Sequence, residues 1–237
     1  MRAMILAAGR GERMRPLTDH CPKPLLPVGG RPLIAWHLQA LARAGFQHIL
    51  INHAWLGEQI EAALGDGSPW GVHLHYSAEP QALETAGGIA RALPFFQNQP
   101  FLVINGDIWC DWDPAQARQW ADQLSPRSQA HLLLVDNPPQ HPAGDFTLHP
   151  DGRVAADLPP QPAPPPAPSR LTFAGIGLYR PSLFARIAPD LPAPLAPLLR
   201  RAMARRAVQG TRHPGRWIDV GTPQRLHALN QALAHQP

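Results

Sequence analysis

Short apolar runs alternate with helix-length segments through the first half of the chain, and this alternation limits the folds that the sequence can adopt. The runs have the length of buried or half-buried strands. They cover residues 3–6, 48–52, 72–76, 101–105 and 131–135. The segments between them carry apolar residues at helical spacing and cover residues 32–44, 56–64, 85–93 and 114–124. This order predicts an α/β fold, namely a Rossmann-like, mostly parallel sheet with helices on both faces.

The second half of the chain follows this order less regularly. Residues 146–148 and 172–179 predict further strands, and residues 196–207 and 223–234 predict helices. Residues 158–169 are so rich in proline that they exclude a helix or a central strand, and we interpret them as an extended surface loop. We expect one domain over residues 1–237, because no internal repeat or second linker divides it.

Composition and charge exclude several classes of protein. A hydrophobic fraction of 44% and a charged fraction of 16% are typical of a globular domain rather than a disordered chain. The net charge of +4 suits an anionic ligand, but the arginines are spread along the chain, which argues against a nucleic-acid binder. Two cysteines are too few for a disulfide framework. No apolar run approaches the roughly 20 residues of a membrane span or forms a signal-peptide core, so we expect a cytoplasmic protein.

One basic residue differs from all the others. Lys23 is the only lysine among 21 lysine and arginine residues, a bias that arginine-rich codon usage explains most simply. A lysine that persists against this bias indicates a position where a compact point charge is needed. Prolines on both sides restrict its backbone, which lowers the entropy lost when the ammonium group binds an anion.

A glycine-containing loop follows the first predicted strand, at the sheet edge where ligands of parallel α/β proteins bind. Its sequence, AAGRGERMRP at residues 7–16, lets backbone amides approach phosphate oxygens closely. It matches neither the P-loop nor the dinucleotide-binding fingerprint. Alone it is weak evidence, but Arg13 and Lys23 follow closely, so we interpret the loop as a phosphate site.

The motifs of this chain, in their order and spacing, resemble those of the sugar-1-phosphate nucleotidyltransferases. LAAGRGERMRP and CPKPLLPVGGRPLI carry the resemblance most specifically. ETAGG at residues 84–88 resembles the base-recognition segment of that family, and NGD at residues 105–107 and WIDVGTP at residues 217–223 resemble its two metal-binding segments. The resemblance covers the chain apart from the proline-rich loop and implies a sugar-binding lobe formed by the second half.

The resemblance implies a role for each matching residue. Arg13 would reach the β- and γ-phosphates of the nucleotide, and Lys23 would neutralise charge on the reacting α-phosphate, so these two are the candidate catalytic residues. Asp107 and Asp219 would bind Mg²⁺ together. The other nucleotide contacts would come from Ala8, Gly9, Gly11, Glu12, Glu79, Glu84, Gly87 and Gly88, and the sugar contacts from Asn105 and Asp145. A sugar phosphate is already an anion and needs no activating serine, cysteine or histidine.

Within the family, two segments and the short length most resemble the branch that transfers a uridylyl group from UTP to N-acetylmuramic acid 1-phosphate in peptidoglycan recycling. The segments are INHAWLGEQIE at residues 51–61 and VDNPPQHPAGDF at residues 135–146. Glucose-1-phosphate enzymes of the family usually bind the sugar phosphate with a second lysine, and this chain has none, which favours the same branch. The chain also lacks the C-terminal extension of larger relatives, which favours a monomer.

Several alternatives remain open from the sequence. The same reaction on glucose 1-phosphate or mannose 1-phosphate needs the same motifs. A catalytically silent sensor of nucleotide sugars would share the fold but has no reason to keep Lys23, Arg13 and both aspartates. A basic RNA-binding module would be marked by weak, salt-sensitive binding. At the level of single residues, Asp107 could cap a turn, and Asp145 could only begin a strand.

Overall fold

The computed structural model of the chain describes residues 1–157, 167–188 and 190–234. Residues 158–166 of the predicted proline-rich loop therefore lie outside the described residues. The strands are β1 (Ala3–Leu6), β2 (Pro27–Val28), β3 (Arg31–Pro32), β4 (His48–His53), β5 (His73–Ala78), β6 (Phe101–Asn105), β7 (Ile108–Cys110), β8 (Ala130–Val135), β9 (Phe146–Leu148), β10 (Val154–Ala155), β11 (Ser169–Tyr179), β12 (Val208–Arg212) and β13 (Trp217–Asp219). The helices are α1 (Leu33–Arg43), α2 (Gly57–Leu64), α3 (Glu84–Ala92), α4 (Gln116–Gln123), α5 (Leu195–Ala204) and α6 (Pro223–Ala234).

One mixed sheet forms the centre of the fold. Its order is β10-β9-β11-β6-β1-β4-β5, and β8 pairs with both β11 and β12. β1 lies parallel between β4 and β6, and β5 continues this parallel half at the edge. β11 runs antiparallel to β6, β8 and β9. The Rossmann-like sheet predicted from the sequence is confirmed, and its parallel half brings the carboxyl ends of β1, β4 and β6 to one edge.

Helices cover both faces of the sheet, as predicted. Side chains of β1 alternate between two apolar cores: Ala3 and Ile5 contribute to one, and Met4 contributes to the other. α1, α2 and α4 pack into the first core, whereas α3 and α5 pack into the second. Each fully buried leucine or isoleucine in these cores stabilises the fold by about 1.5–3 kcal/mol.

Helix ends follow local backbone chemistry. α1 ends before Gly45, which has a φ of +78° and allows the amide of Phe46 to bond to the carbonyl of Leu41 at 3.0 Å. The prediction that a helix continues to residue 207 is wrong by three residues. α5 ends at Ala204, because Arg206 adopts a left-handed φ of +55° and the chain then enters β12.

A third apolar cluster joins the two ends of the chain. Met14 and Leu26, near the N-terminus, pack in this cluster with Val220 and Leu229. Asn230 of α6 also accepts a hydrogen bond from the amide of Gly29 at 2.8 Å. The segments that carry Arg13, Lys23 and Asp219 are thereby held together. Within the described ranges no helix has the length and apolar character needed to cross a membrane.

Candidate active site

A pocket of about 360 Å³ opens at the carboxyl ends of β1, β4 and β6. It brings together most of the residues that the sequence predicted for nucleotide binding, although they come from distant segments. Those that line it are Ala8, Gly9, Gly11, Glu12, Arg13, Lys23 and Glu84. Asn105, predicted to bind the sugar, and Asp107, predicted to bind Mg²⁺, line it as well. A second pocket, of about 260 Å³, shares Arg13 and Asp107 and adds Asp219, and a third, of about 470 Å³, shares Glu84 and adds Asp145. Asn105 lines all three, so the pockets adjoin.

The loop after β1 is braced from outside the pocket. Gly11 has a φ of +70°, and its carbonyl accepts a hydrogen bond from the hydroxyl of the fully buried Thr18 at 2.9 Å. The carbonyl of Thr18 in turn accepts bonds from Arg10 at 2.7 Å and from the indole of Trp55 at 3.0 Å. The Arg10 guanidinium also stacks over the Trp55 ring at 3.8 Å. These contacts hold the loop in place, whereas a Cβ on Gly9 would meet no heavy atom within 4 Å.

Lys23 reaches the pocket from the segment that follows this loop. Its side chain is only 9% exposed, and its Nζ atom lies 2.8 Å from Oδ2 of Asp107. Asp107 follows β6, and the amide of Gly106 bonds to the carbonyl of Leu6 at 2.8 Å, so the turn is fixed against the end of β1. A Cβ on Gly106 would lie 2.6 Å from that carbonyl oxygen, which excludes other residues from this close approach. A buried cation therefore faces a half-exposed carboxylate at the pocket wall.

Asp219 is held beside Asp107 by a two-stranded ribbon. β7 and β13 pair antiparallel with Asp219 opposite Ile108, and the amide of Val220 bonds to the carbonyl of Asp107 at 2.9 Å. The Asp219 carboxylate accepts a bond from the guanidinium of Arg225 in α6. A Cβ on Gly221 would lie 3.0 Å from a guanidinium nitrogen of Arg13, so Arg13 lies close to the turn that follows Asp219.

Glu79 does not line the pocket itself, but it bonds to Asn52, which does. It is 5% exposed, and its Oε1 accepts a bond from Nδ2 of Asn52 at 2.7 Å while its Oε2 accepts one from the amide of Leu83 at 2.9 Å. Oδ1 of Asn52 accepts a bond from the amide of Ala7 at 3.0 Å. Asn52 and Glu79 thus connect the loop after β1 with the segment that begins α3, and sequence reasoning did not find Asn52.

The start of α3 combines a strained residue with two closely packed glycines. Glu84 adopts a left-handed φ of +57°, which is unfavourable for a residue with a side chain and is found here at the pocket wall. A Cβ on Gly87 would lie 2.5 Å from the carbonyl oxygen of Leu191, and one on Gly88 would lie 2.8 Å from Oε1 of Glu79. Both glycines allow α3 to pack closely, and neither lines the pocket of about 360 Å³. Their contact with the base stays a prediction.

The two predicted sugar contacts, Asn105 and Asp145, both line the third pocket. Asp145 accepts a bond from the amide of Phe173 at 2.8 Å through Oδ2, and its Oδ1 lies 3.0 Å from Nε2 of His141. The β8–β11 register shifts between Phe173 and Gly177, which is typical of a β-bulge beside a binding site. Gly175, inside this bulge, has a φ of +75° and packs against Asn105.

A histidine lies buried close to Asp107 and Ile108. His37 of α1 is 6% exposed, and burial lowers its pKa to about 4. A bond with the backbone of Ile108 and the charge of Asp107 act in the opposite direction but are weaker. His37 is therefore neutral at pH 7 and adds no positive charge to this side of the site.

Comparison with known proteins agrees with this geometry. A family model described as nucleotidyl transferase matches residues 2–236. The chain belongs to the nucleotidyl transferase family. The resemblance inferred from the sequence motifs is therefore confirmed.

Two relatives of this nucleotidyl transferase are named N-acetylmuramate alpha-1-phosphate uridylyltransferase. The protein from Neisseria meningitidis serogroup B is 56% identical over 235 residues, which cover 99% of this chain and 98% of the relative. The protein from Caulobacter vibrioides is 34% identical over 240 residues, which cover 98% and 96%. A Bacillus anthracis structure provisionally assigned as a glucose-1-phosphate thymidylyltransferase, solved with sucrose, has a TM-score of 0.84 at 23% identity and covers 100% and 96% of the two chains. The last comparison supports the fold alone.

The paired aspartates of this nucleotidyl transferase have the donor chemistry that Mg²⁺ requires. Mg²⁺ takes one or two carboxylates and completes its octahedral shell with water and phosphate oxygens. Asp107 and Asp219 both line the second pocket, which also borders Arg13. The residues present therefore fit this ion.

Sequence reasoning missed Arg225, although the family resemblance passes directly before it. Arg225 lies in the first turn of α6, six residues after Asp219, and is 21% exposed through its side chain. The available signal was a basic residue six positions after a predicted carboxylate ligand. Spacing alone could not show that the helix folds back over the aspartate.

Proposed function

We propose that the protein transfers a uridylyl group from UTP to N-acetylmuramic acid 1-phosphate, which yields UDP-N-acetylmuramic acid and pyrophosphate and serves peptidoglycan recycling. The observation that carries this proposal is the 56% identity, over nearly the whole of both chains, to a relative that bears the name of this activity. The cytoplasm is the compartment that we propose for the reaction.

The chemistry requires positioning and charge neutralisation rather than a protein nucleophile. A phosphate oxygen of the sugar phosphate attacks the α-phosphorus of UTP, and a new P–O bond forms. The bond between the α-phosphorus and the bridging oxygen of the β-phosphate breaks, and pyrophosphate leaves with the electron pair. Two anions must be held in line, so the largest contributions come from orientation and from preorganised positive charge.

Lys23 and Arg13 supply positive charge of two different kinds. Lys23 presents a compact ammonium group on a nearly buried stem, which suits a single phosphate group such as the α-phosphate. Arg13 is exposed and, among the described residues, no hydrogen-bond acceptor or carboxylate holds its guanidinium group. Its planar fork is therefore available for the β- and γ-phosphates of UTP.

Asp107 and Asp219 would hold Mg²⁺, which when bound supplies positive charge to the phosphate oxygens. Lys23 and Arg225 occupy the two carboxylates in the free protein. Asn105 and Asp145 would bind the sugar from the adjoining pockets. Since the chain holds one lysine, the phosphate of the sugar must be met by an arginine, by backbone amides or by the metal.

A coupled assay of pyrophosphate release tests the proposal directly. The purified protein is incubated with UTP, Mg²⁺ and one sugar 1-phosphate at a time: N-acetylmuramic acid, N-acetylglucosamine, glucose or mannose 1-phosphate. We expect the N-acetylmuramic acid compound to give the highest kcat/KM. Turnover of glucose or mannose 1-phosphate without turnover of the muramic acid compound would contradict the substrate, and absence of turnover with all four would support a silent sensor.

A further inference from the structure

A second group of metal-ligand side chains lies at the far end of the β7–β13 ribbon. In this ribbon Asp219 pairs with Ile108, whereas Cys110 pairs with Trp217. The candidate magnesium ligands therefore lie at one end and the Cys110 thiol at the other. Asp111 follows Cys110, and His213 lies in the segment between β12 and β13.

The three side chains converge without help from a ligand. The Sγ atom of Cys110, a carboxylate oxygen of Asp111 and a ring nitrogen of His213 all lie within 4.8 Å of one another. Nε2 of His213 lies 2.7 Å from Oδ1 of Asp111. Backbone bonds fix two of the positions, because the amide of Asp111 bonds to the carbonyl of Arg216 at 3.2 Å and the amide of His213 bonds to the carbonyl of Leu134 at 2.7 Å.

We propose that Cys110, Asp111 and His213 form a binding site for a thiophilic divalent transition metal of the Zn²⁺ and Co²⁺ type, separate from the candidate magnesium site. Thiolate, imidazole and carboxylate donors favour such ions over Mg²⁺. Bond lengths of about 2.0–2.3 Å in a tetrahedron place ligand atoms roughly 3.3–3.8 Å apart, so the observed cluster needs only small side-chain movements. The fourth position would hold water, because the site is partly open to solvent.

Burial and charge around the cluster are consistent with this site. The His213 side chain is 13% exposed and that of Asp111 is 37% exposed, so an ion can enter from the Asp111 side. Nε of Arg216 lies 3.8 Å from Oδ2 of Asp111, so Oδ1, which now contacts Nε2 of His213, is the oxygen that would turn to the metal. Burial raises the pKa of the Cys110 thiol to about 12, which opposes thiolate formation, so an incoming metal must displace the thiol proton.

Binding is therefore a ligand exchange that releases one proton. The S–H bond of Cys110 breaks, its proton passes to solvent, and a sulfur–metal bond forms as a water leaves the ion. In the free protein the 2.7 Å contact with Oδ1 of Asp111 places the ring proton of His213 on Nε2. On metal binding this proton moves through solvent to Nδ1, so that Nε2 presents its lone pair to the metal. The occupied site would fasten the segment before β13 to the end of β7.

Cobalt spectroscopy tests the proposal, and the chain offers a matched control. The other cysteine of the chain, Cys21, is half-buried and forms no disulfide, as is also true of Cys110. Full-length protein is treated with a chelator, desalted and titrated with Co²⁺. We expect a thiolate-to-cobalt charge-transfer band in the near ultraviolet for the wild type and for Cys21→Ser, and no such band for Cys110→Ser. For His213→Gln we expect at least about tenfold weaker binding.

Thermal melting gives a second, independent readout. Zn²⁺ should raise the Tm of the wild type and of Cys21→Ser and leave that of Cys110→Ser unchanged, with excess Mg²⁺ present to occupy the Asp107 and Asp219 pair. The melting curves without metal show whether each variant folds. A charge-transfer band that persists in Cys110→Ser or disappears in Cys21→Ser, or the absence of any band at millimolar Co²⁺, would overturn the proposal.

Discussion

Replacement of Glu79 tests whether this carboxylate supports the pocket from behind or contacts the substrate base. The group is 5% exposed and accepts hydrogen bonds from Nδ2 of Asn52 at 2.7 Å and from the amide of Leu83 at 2.9 Å. In Glu79→Ala both buried donors lose their acceptor, and each unsatisfied donor costs about 1–3 kcal/mol. We therefore expect the free energy of unfolding to fall by about 2–6 kcal/mol, and by roughly half as much in Glu79→Gln, which keeps one acceptor.

Urea denaturation measures this loss, and enzyme kinetics separate it from a direct contact with the nucleotide. Glu58→Gln is the matched control, because Glu58 is an exposed glutamate on α2 and its replacement should leave the unfolding midpoint unchanged. Loss of the Glu79 acceptor also frees the side chain of Asn52, whose Oδ1 holds the amide of Ala7 at the pocket wall. We expect a higher KM for UTP in Glu79→Ala, partial rescue in Glu79→Gln and a smaller change in kcat.

One pair of results would refute this reasoning. If Glu79→Ala unfolds at the same urea concentration as the wild type and still has a raised KM for UTP, the carboxylate does not support the fold. The data would then favour the direct contact with uracil that the family resemblance implied.

Three further predictions follow from the same structure. Lys23→Ala should reduce kcat by at least about a hundredfold but lower the free energy of unfolding by no more than about 1 kcal/mol, since its partner Asp107 is half-exposed. Comparable losses in activity and melting temperature would indicate that Lys23 has a structural role. Burial lowers the pKa values of His37 and His131 to about 4, so the unfolded chain binds more protons than the folded chain below pH 6.5. The free energy of unfolding, measured in urea, should therefore fall by about 2 kcal/mol per histidine between pH 7 and pH 5. His131→Gln should reduce that fall. Gly88→Ala should destabilise the protein by about 1–3 kcal/mol, because the new Cβ would lie 2.8 Å from two polar side-chain atoms. At Gly9 a Cβ would meet no heavy atom within 4 Å. Gly9→Ala should therefore leave the melting temperature unchanged but weaken UTP binding, as measured by calorimetry.

Periodicity predicted the elements that carry long apolar patterns and missed those that depend on distant partners. β1 and β6 are continuous apolar runs, and both were located to the residue. The β7–β13 ribbon has three residues in each strand, and its pairing depends on contacts between segments more than 100 positions apart in the chain. No local pattern encodes such a pairing. The ribbon was therefore invisible in the sequence, although it sets the relative position of Asp107 and Asp219.

In the candidate site, the sequence likewise predicted which residues take part but not how their side chains contact one another. The motifs predicted that Lys23 and Asp107 belong to one site, but not that they form an ion pair 84 positions apart in the chain. The family resemblance implied that Glu79 lines the base pocket. Its orientation depends on Asn52 of the neighbouring strand, and the side chain turns inward to satisfy that amide.

The charges around the pocket lead to one last prediction, on the coupling between nucleotide and metal. In the free protein, Lys23 pairs with Asp107 and Arg225 pairs with Asp219, so neither carboxylate is left uncompensated. Phosphate oxygens can use Lys23 fully only when another cation neutralises Asp107. UTP and Mg²⁺ should therefore raise each other's affinity for the protein by the same factor, because the coupling between two ligands is reciprocal.

Isothermal titration of each ligand in the absence and presence of the other measures this factor, after correction for the complex that UTP and Mg²⁺ form in solution. In Lys23→Met, where no ammonium group must be released from Asp107, the factor should approach one while the metal affinity of the free protein rises. Coupling that is unchanged in Lys23→Met would contradict the argument, because the exchange of partners at Asp107 would then play no part in it. Arg225→Met provides the matched comparison at the second aspartate, where the same exchange should affect metal affinity but not the α-phosphate contact.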